Sequence, residues 1–97
     1  MGKNKQELNL QSIIARNMDI DDADLDGEKV MMNLDKGQYF MMNEVGSRIW
    51  ECIEKDTAII DIVNTLLNEY EVEEATCKET VLKFLGRLED EGLITVR

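Results

Sequence analysis

Polar and apolar positions change period once along this chain, near residue 43. Before it, apolar residues fall in short runs that suit strands. Ser12–Asn17 holds Ile13 and Ile14, and Val30–Leu34 and Gln38–Met42 follow. Asp26-Gly27 is a strong turn signal, and Asp35-Lys36-Gly37 joins the last two runs tightly, with glycine available for positive φ. Strand, short Gly turn, strand reads as a hairpin. Methionine is a weak strand former, so Tyr39, Phe40 and the turn chemistry carry that assignment.

After residue 43 the spacing becomes helical. Asn43 is a suitable N-cap, and Glu44 suits the positive end of a helix bearing Val45, Ile49, Trp50, Cys52 and Ile53. A second helix starts near Asp56 or Thr57 and carries Ile59, Ile60, Val63, Leu66, Leu67 and Tyr70. A third starts between Glu73 and Thr76, where Thr76 and Glu79 have capping-box spacing. Its stripe is Val81, Phe84, Leu85 and Leu88, Gly92 ends it, and Leu93–Val96 packs back on the core. No proline or repeat divides the chain. Three short strands followed by three helices give one α+β unit over residues 10–97, after a flexible polar tail over 1–9.

Charge and composition narrow the function. Eleven basic against 21 acidic residues leave a net charge of −10, which repels nucleic acid and anionic lipid over most of the surface. A partner should be neutral or locally basic. No apolar run approaches the ~20 residues of a membrane span, and the N-terminus has no signal-peptide core, so a cytoplasmic protein is expected. The chain has no histidine and only Cys52 and Cys77, which excludes His-containing zinc sites, Ser-His-Asp triads and Cys-His dyads. Carboxylate pairs such as Glu51/Glu54 lie away from the apolar stripes and read as solubilising surface. Asp22–Gly27 matches the first six positions of a calcium loop, but Asn33 stands where the bidentate Glu is needed. It reads as a solvated acidic turn. No catalytic constellation, metal site or cofactor loop is visible.

A winged-helix DNA regulator is one alternative, but residues 73–91 carry six acids against three bases, the wrong sign for a recognition helix. The strand 38–42 is more informative. Phe40 and Met42 face one way, Tyr39 and Met41 the other, so both faces are apolar. An apolar edge strand in a small sheet is either hidden or a place to add another strand. On the third helix, Leu82 lies outside the arc of Cys77, Val81, Phe84, Leu85 and Leu88, with Lys78 between, and is a candidate groove wall.

These residues also carry a resemblance. Leu34-Asp35-x-Gly37-x-Tyr39-Phe40-x-Met42-Asn43-x-x-Gly46-x-x-Ile49-Trp50, then Ile59–Leu67, Tyr70-x-Val72, Val81, Phe84-Leu85, Leu88 and Gly92-Leu93-Ile94, resemble the PqqD family over about residues 12–96. The resemblance implies a winged-helix-turn-helix-like fold, with a three-stranded antiparallel sheet followed by three helices. It implies a recognition element for ribosomally made, modified peptides; no catalysis is expected from the residues, and a monomer is expected. The precursor's leader would add as a strand against Tyr39, Phe40, Met41 and Met42. Lys78, Val81, Leu82 and Leu85 would form the helix side. The partner enzyme would be a lasso-peptide leader peptidase, the pathway suggested by the long polar N-terminus and the Lys/Asn/Ile/Met-rich composition. The alternative within the family is a chaperone working with a radical enzyme, as in pyrroloquinoline-quinone synthesis.

Overall fold

The structure, a computed structural model, describes residues 8–97. Its elements are β1 (Ile13–Arg16), β2 (Asp21–Leu25), β3 (Glu28–Asn33), β4 (Gln38–Met41), α1 (Glu44–Cys52), β5 (Thr57–Ala58), α2 (Ile59–Glu69), α3 (Glu74–Asp90) and β6 (Ile94–Val96). They form two antiparallel three-stranded sheets, β2-β3-β4 and β5-β1-β6, packed with three helices in an α+β, winged-helix-like arrangement.

The expected three-stranded sheet exists, but its first strand is not Ser12–Asn17. That segment forms β1 of the second sheet, between β5 and β6. The place beside β3 is taken by the acidic run, which is a strand and not a solvated turn. Only Asp26 and Gly27 form the turn, with φ of 54° and 87°, the two positive values that a two-residue type I′ hairpin requires. Aspartate is a poor strand former, yet β2 is solvent-exposed, so the Asp21 and Asp24 carboxylates keep their water while its backbone pairs with β3. Asp24 also pairs across the ladder with Lys29 at 2.9 Å. Of the expected tail, residues 1–7 lie outside the described residues, while Leu8 packs against the core and Asn9 opens a turn to Ser12.

Asn43 caps α1 as expected, its Oδ1 accepting from Gly46 N at 2.8 Å. The capping box does not form: α3 begins one turn earlier, behind Glu73, which makes no side-chain cap bond. Gly92 ends α3 with φ 79°. Thr57 and Ala58 pair with β1 instead of opening α2, because Leu10 and Ser12 carbonyls accept from the first α2 amides.

The core joins Ile14, Met31, Ile49, Trp50, Ile62 and Leu85 across both sheets and all three helices. Polar contacts at Trp50 fix both sheets against α1. Trp50 Nε1 donates to Asp22 Oδ2 at 2.7 Å, and Arg16 lies over the indole ring, 4.5 Å from its centroid, with Nη2 donating to Trp50 O. Ser47 is the buried polar residue of α1; its Oγ accepts from Lys29 N at 2.8 Å and donates to Met42 O at 3.3 Å. That hydroxyl ties the start of β3 and the end of β4 to one helix. Replacing Ser47 with Ala leaves the Lys29 amide without its partner, and denaturant unfolding should show a loss of about 1–3 kcal/mol. A change within a few tenths would show that the bond is dispensable.

Candidate functional site

In the β2-β3-β4 sheet the outer strands, β2 and β4, each have an open edge. Their chemistry differs. β2 presents Asp21, Asp22 and Asp24, charges that discourage another strand. β4 is Gln38-Tyr39-Phe40-Met41, without a charge.

The hydrogen-bond phase of β4 follows from one contact. Met42 N donates to Lys29 O at 2.9 Å, and Val30 is opposite Met41, Met31 opposite Phe40. Alternation along an antiparallel ladder then turns Gln38, Phe40 and Met42 toward β3. The N–H and C=O groups of Tyr39 and Met41 point to the open edge. The side chains alternate independently: Met42 is buried and Phe40 packs on the core, while Tyr39 and Met41 are 70% and 69% exposed.

Facing this edge is α3. A groove between them is lined by Tyr39, Phe40 and Met41 on one side and by Phe84, Arg87 and Glu91 on the other. It continues past the end of β4 to Asn43, Val45 and Thr80, with Met41, Met42, Phe84 and Arg87 common to both stretches. Beyond Val45 and Thr80 it meets an apolar cavity of about 270 Å³ reaching Leu66 and Val72. The Phe84 ring is held by a close approach: a Cβ on Gly46 would meet Phe84 Cζ at 3.0 Å and Asn43 Oδ1 at 3.3 Å.

The structure thus brings together Tyr39, Phe40, Met41 and Met42, but not the expected helix residues. Val81 and Leu85 are 0% exposed, filling the core beneath the groove. Lys78 pairs with Glu74 at 3.0 Å, and Leu82 packs against the core; neither lines the groove. The physical reason is angular. At about 100° per residue, Lys78 and Leu82 lie on one flank of the Val81–Leu85–Leu88 stripe. Thr80, Phe84, Arg87 and Glu91 lie on the other, and that flank faces β4. Their 4-3-4 spacing was present in the sequence, but nothing in a helical wheel selects the flank.

Burial pushes the thiols of both Cys52 and Cys77 up, away from the thiolate a nucleophile needs. Among the described residues no three potential ligands gather to hold a metal ion, the acidic β2 hairpin included. No helix there is long and apolar enough to cross a membrane.

Comparisons with known proteins place the fold in a family. The sequence profile of the family described as coenzyme PQQ synthesis protein D (PqqD) matches residues 28–94. A solved complex, TbiB1 with the TbiA(beta) leader peptide, is 31% identical with a TM-score of 0.78, over 82% of this chain and 93% of that one. Lasso peptide synthetase B1 complexed with the leader peptide has a TM-score of 0.71 over 84% of this chain and 96% of that one; at 19% identity it speaks for the fold alone. No curated protein matches the chain.

Adding a methyl group at Gly46 tests the groove wall. Alanine gains up to about 1 kcal/mol in helix propensity, but crowding Phe84 should cost about 1–3 kcal/mol. Gly46→Ala should therefore melt lower than the parent; a higher melting temperature would mean that the Phe84 ring moves freely.

Proposed function

Since the chain belongs to the PqqD family, we propose that it binds the leader segment of a ribosomally synthesised precursor peptide and presents it to a maturation enzyme, a lasso-peptide leader peptidase. The observation that carries this reading is the open, uncharged edge of β4 set opposite α3. There the outward N–H and C=O groups of Tyr39 and Met41 hold the leader as an added strand. Phe40, Met41, Phe84 and Arg87 line the place its side chains enter. The protein performs no bond chemistry itself. Holding the leader raises the effective concentration of the attached core peptide at the enzyme. We place this work in the cytoplasm, where a ribosomal product meets its first enzymes. Residues 10–97 act as the binding domain. A net charge of −10 opposes self-association and favours a monomer.

The enzyme needs a surface that the leader leaves free. Register puts Leu25, Met32, Tyr39 and Met41 on the outer face of the β2-β3-β4 sheet, away from the core. Leu25, Tyr39 and Met41 are exposed there. We assign contact with the enzyme to the β2-β3 part of this face, around Leu25 and Met32, because Tyr39 and Met41 also border the leader's groove.

Proline at position 41 separates leader binding from folding. The Met41 N–H faces the open edge, so Met41→Pro removes a docking donor and keeps the ladder to β3, whereas Phe40→Pro breaks it. With a fluorescent leader peptide from a neighbouring precursor reading frame, Met41→Pro should bind at least about tenfold more weakly while its circular dichroism stays native. Unchanged affinity in the folded variant would exclude strand addition at this donor. On the outer face, Leu25→Asp should leave leader affinity within about twofold and slow leader removal by the enzyme severalfold. Equal processing rates would move the enzyme contact elsewhere.

A further inference from the structure

Arg87 stands apart from the other arginines. Lys36, Lys55 and Lys83 also form no ion pair, but Arg87 is the one arginine among the described residues without a carboxylate partner. The other arginines each have one. Arg16 stands 3.6 Å from Asp22 and over the Trp50 ring; Arg48 holds Glu69 through Nη2 at 2.7 Å; Arg97 meets Asp56 at 3.0 Å. Among the described residues Arg87 makes no ion pair, although Glu91 is one helical turn away and borders the same groove. Arg87 instead lines both stretches of the groove, beside Phe84 and Met41.

The two stretches differ in sign. Toward the start of β4, Glu91 shares the lining with Arg87. Toward Asn43 and Thr80, Arg87 is the sole charged lining residue, set among Met41, Val45, Gly46 and Phe84. An anionic group would be repelled by Glu91 in the first stretch and held in the second. There it would meet the planar donor fork of the guanidinium and the exposed Thr80 hydroxyl.

We propose that Arg87 is a specificity-determining residue that selects leaders bearing an Asp or Glu side chain, seated between Arg87 and Thr80 just past the end of β4, next to an apolar residue that packs on Phe84 and Met41. The proposal rests on the leader-binding reading above. A side-chain carboxylate is the fitting source, because the C-terminal side of a leader continues into the core peptide and offers no free terminus. The rest of the surface is strongly negative, so an acidic residue elsewhere in the bound segment would be disfavoured. One acid at a fixed position in an otherwise neutral or basic stretch is the pattern this groove accepts.

Arg87 also stands in the last turn of α3, where a cation favours the helix dipole. That role predicts a change in stability and no change in peptide choice, so the two separate cleanly. The test selects twelve-residue peptides from a random displayed library with the full chain and with Arg87→Glu, each counter-selected against Met41→Pro. The wild-type protein should enrich one Asp or Glu at a fixed spacing from an apolar residue, and Arg87→Glu should enrich Lys or Arg there. For one selected peptide, Asp→Asn should weaken binding to the wild type by about fivefold to tenfold, and should not weaken binding to Arg87→Gln. Enriched peptides without a positional acid, or the same Asp→Asn penalty with Arg87→Gln, would overturn the assignment of Arg87 and leave leader binding standing. Failure to enrich any peptide that Met41→Pro loses would instead overturn the leader-binding reading itself.

Discussion

A three-stranded sheet must have two open edges, and each unpaired N–H and C=O on an edge invites another chain. Most of this molecule's layout follows from how it treats that constraint. One edge, β2, is a run of aspartates that water and like charge keep unpaired. The other, β4, is short and neutral and sits beside a helix. On the proposed reading strand addition is therefore directed to β4, because the same backbone chemistry is present on both edges and only β2 carries charges that oppose it.

The permitted edge is useful because it is held still. Ser47 fastens the end of β4 and the start of β3 to α1 through one hydroxyl. Gly46, its neighbour, lets the Phe84 ring come against α1, which sets α3 at the groove's far wall. Asn43 caps the same helix where the strand stops. Three consecutive functions of a short segment, strand end, helix cap and groove wall, are thus placed by local geometry. On the opposite side of the sheet, Trp50 draws Asp22 inward and Arg16 over its ring, so the acidic strand is anchored at its middle while its other carboxylates remain in water.

Much of this was legible in the sequence. The change of period at residue 43, the Asn43 cap, the hairpin turns and the terminal Gly92 all depend on local chemistry, and all stand where the residues put them. What failed was non-local. The Asp21–Leu25 strand contradicts its own propensity and exists because β3 offers a ladder. β1 joins β5 and β6, segments separated from it by most of the chain, and no local pattern in Ile13–Arg16 names those partners. In the candidate site, alternation along residues 38–42 is visible in the sequence, and the structure has that strand at a sheet edge. Which flank of the Val81–Leu85 stripe faces that edge is not, because handedness of packing is decided by α1 and β4, not by α3 alone.

The phase of β4 carries a consequence for time as well as for place. Only Tyr39 and Met41 turn their N–H and C=O groups outward. Two donors and two acceptors, at about 0.5–1.5 kcal/mol each, supply roughly 2–6 kcal/mol, short of the ~8 kcal/mol that micromolar affinity represents. Side chains in the groove must supply the remainder, and a backbone clamp this short cannot hold a peptide for long. At association rates of about 10⁵–10⁷ M⁻¹s⁻¹, micromolar binding corresponds to release roughly 0.1–10 times per second. On the proposed reading, a leader held at this edge with micromolar affinity would leave within the time of a slow enzyme's turnover, so the module would hand over one precursor, let go of the spent leader and begin again.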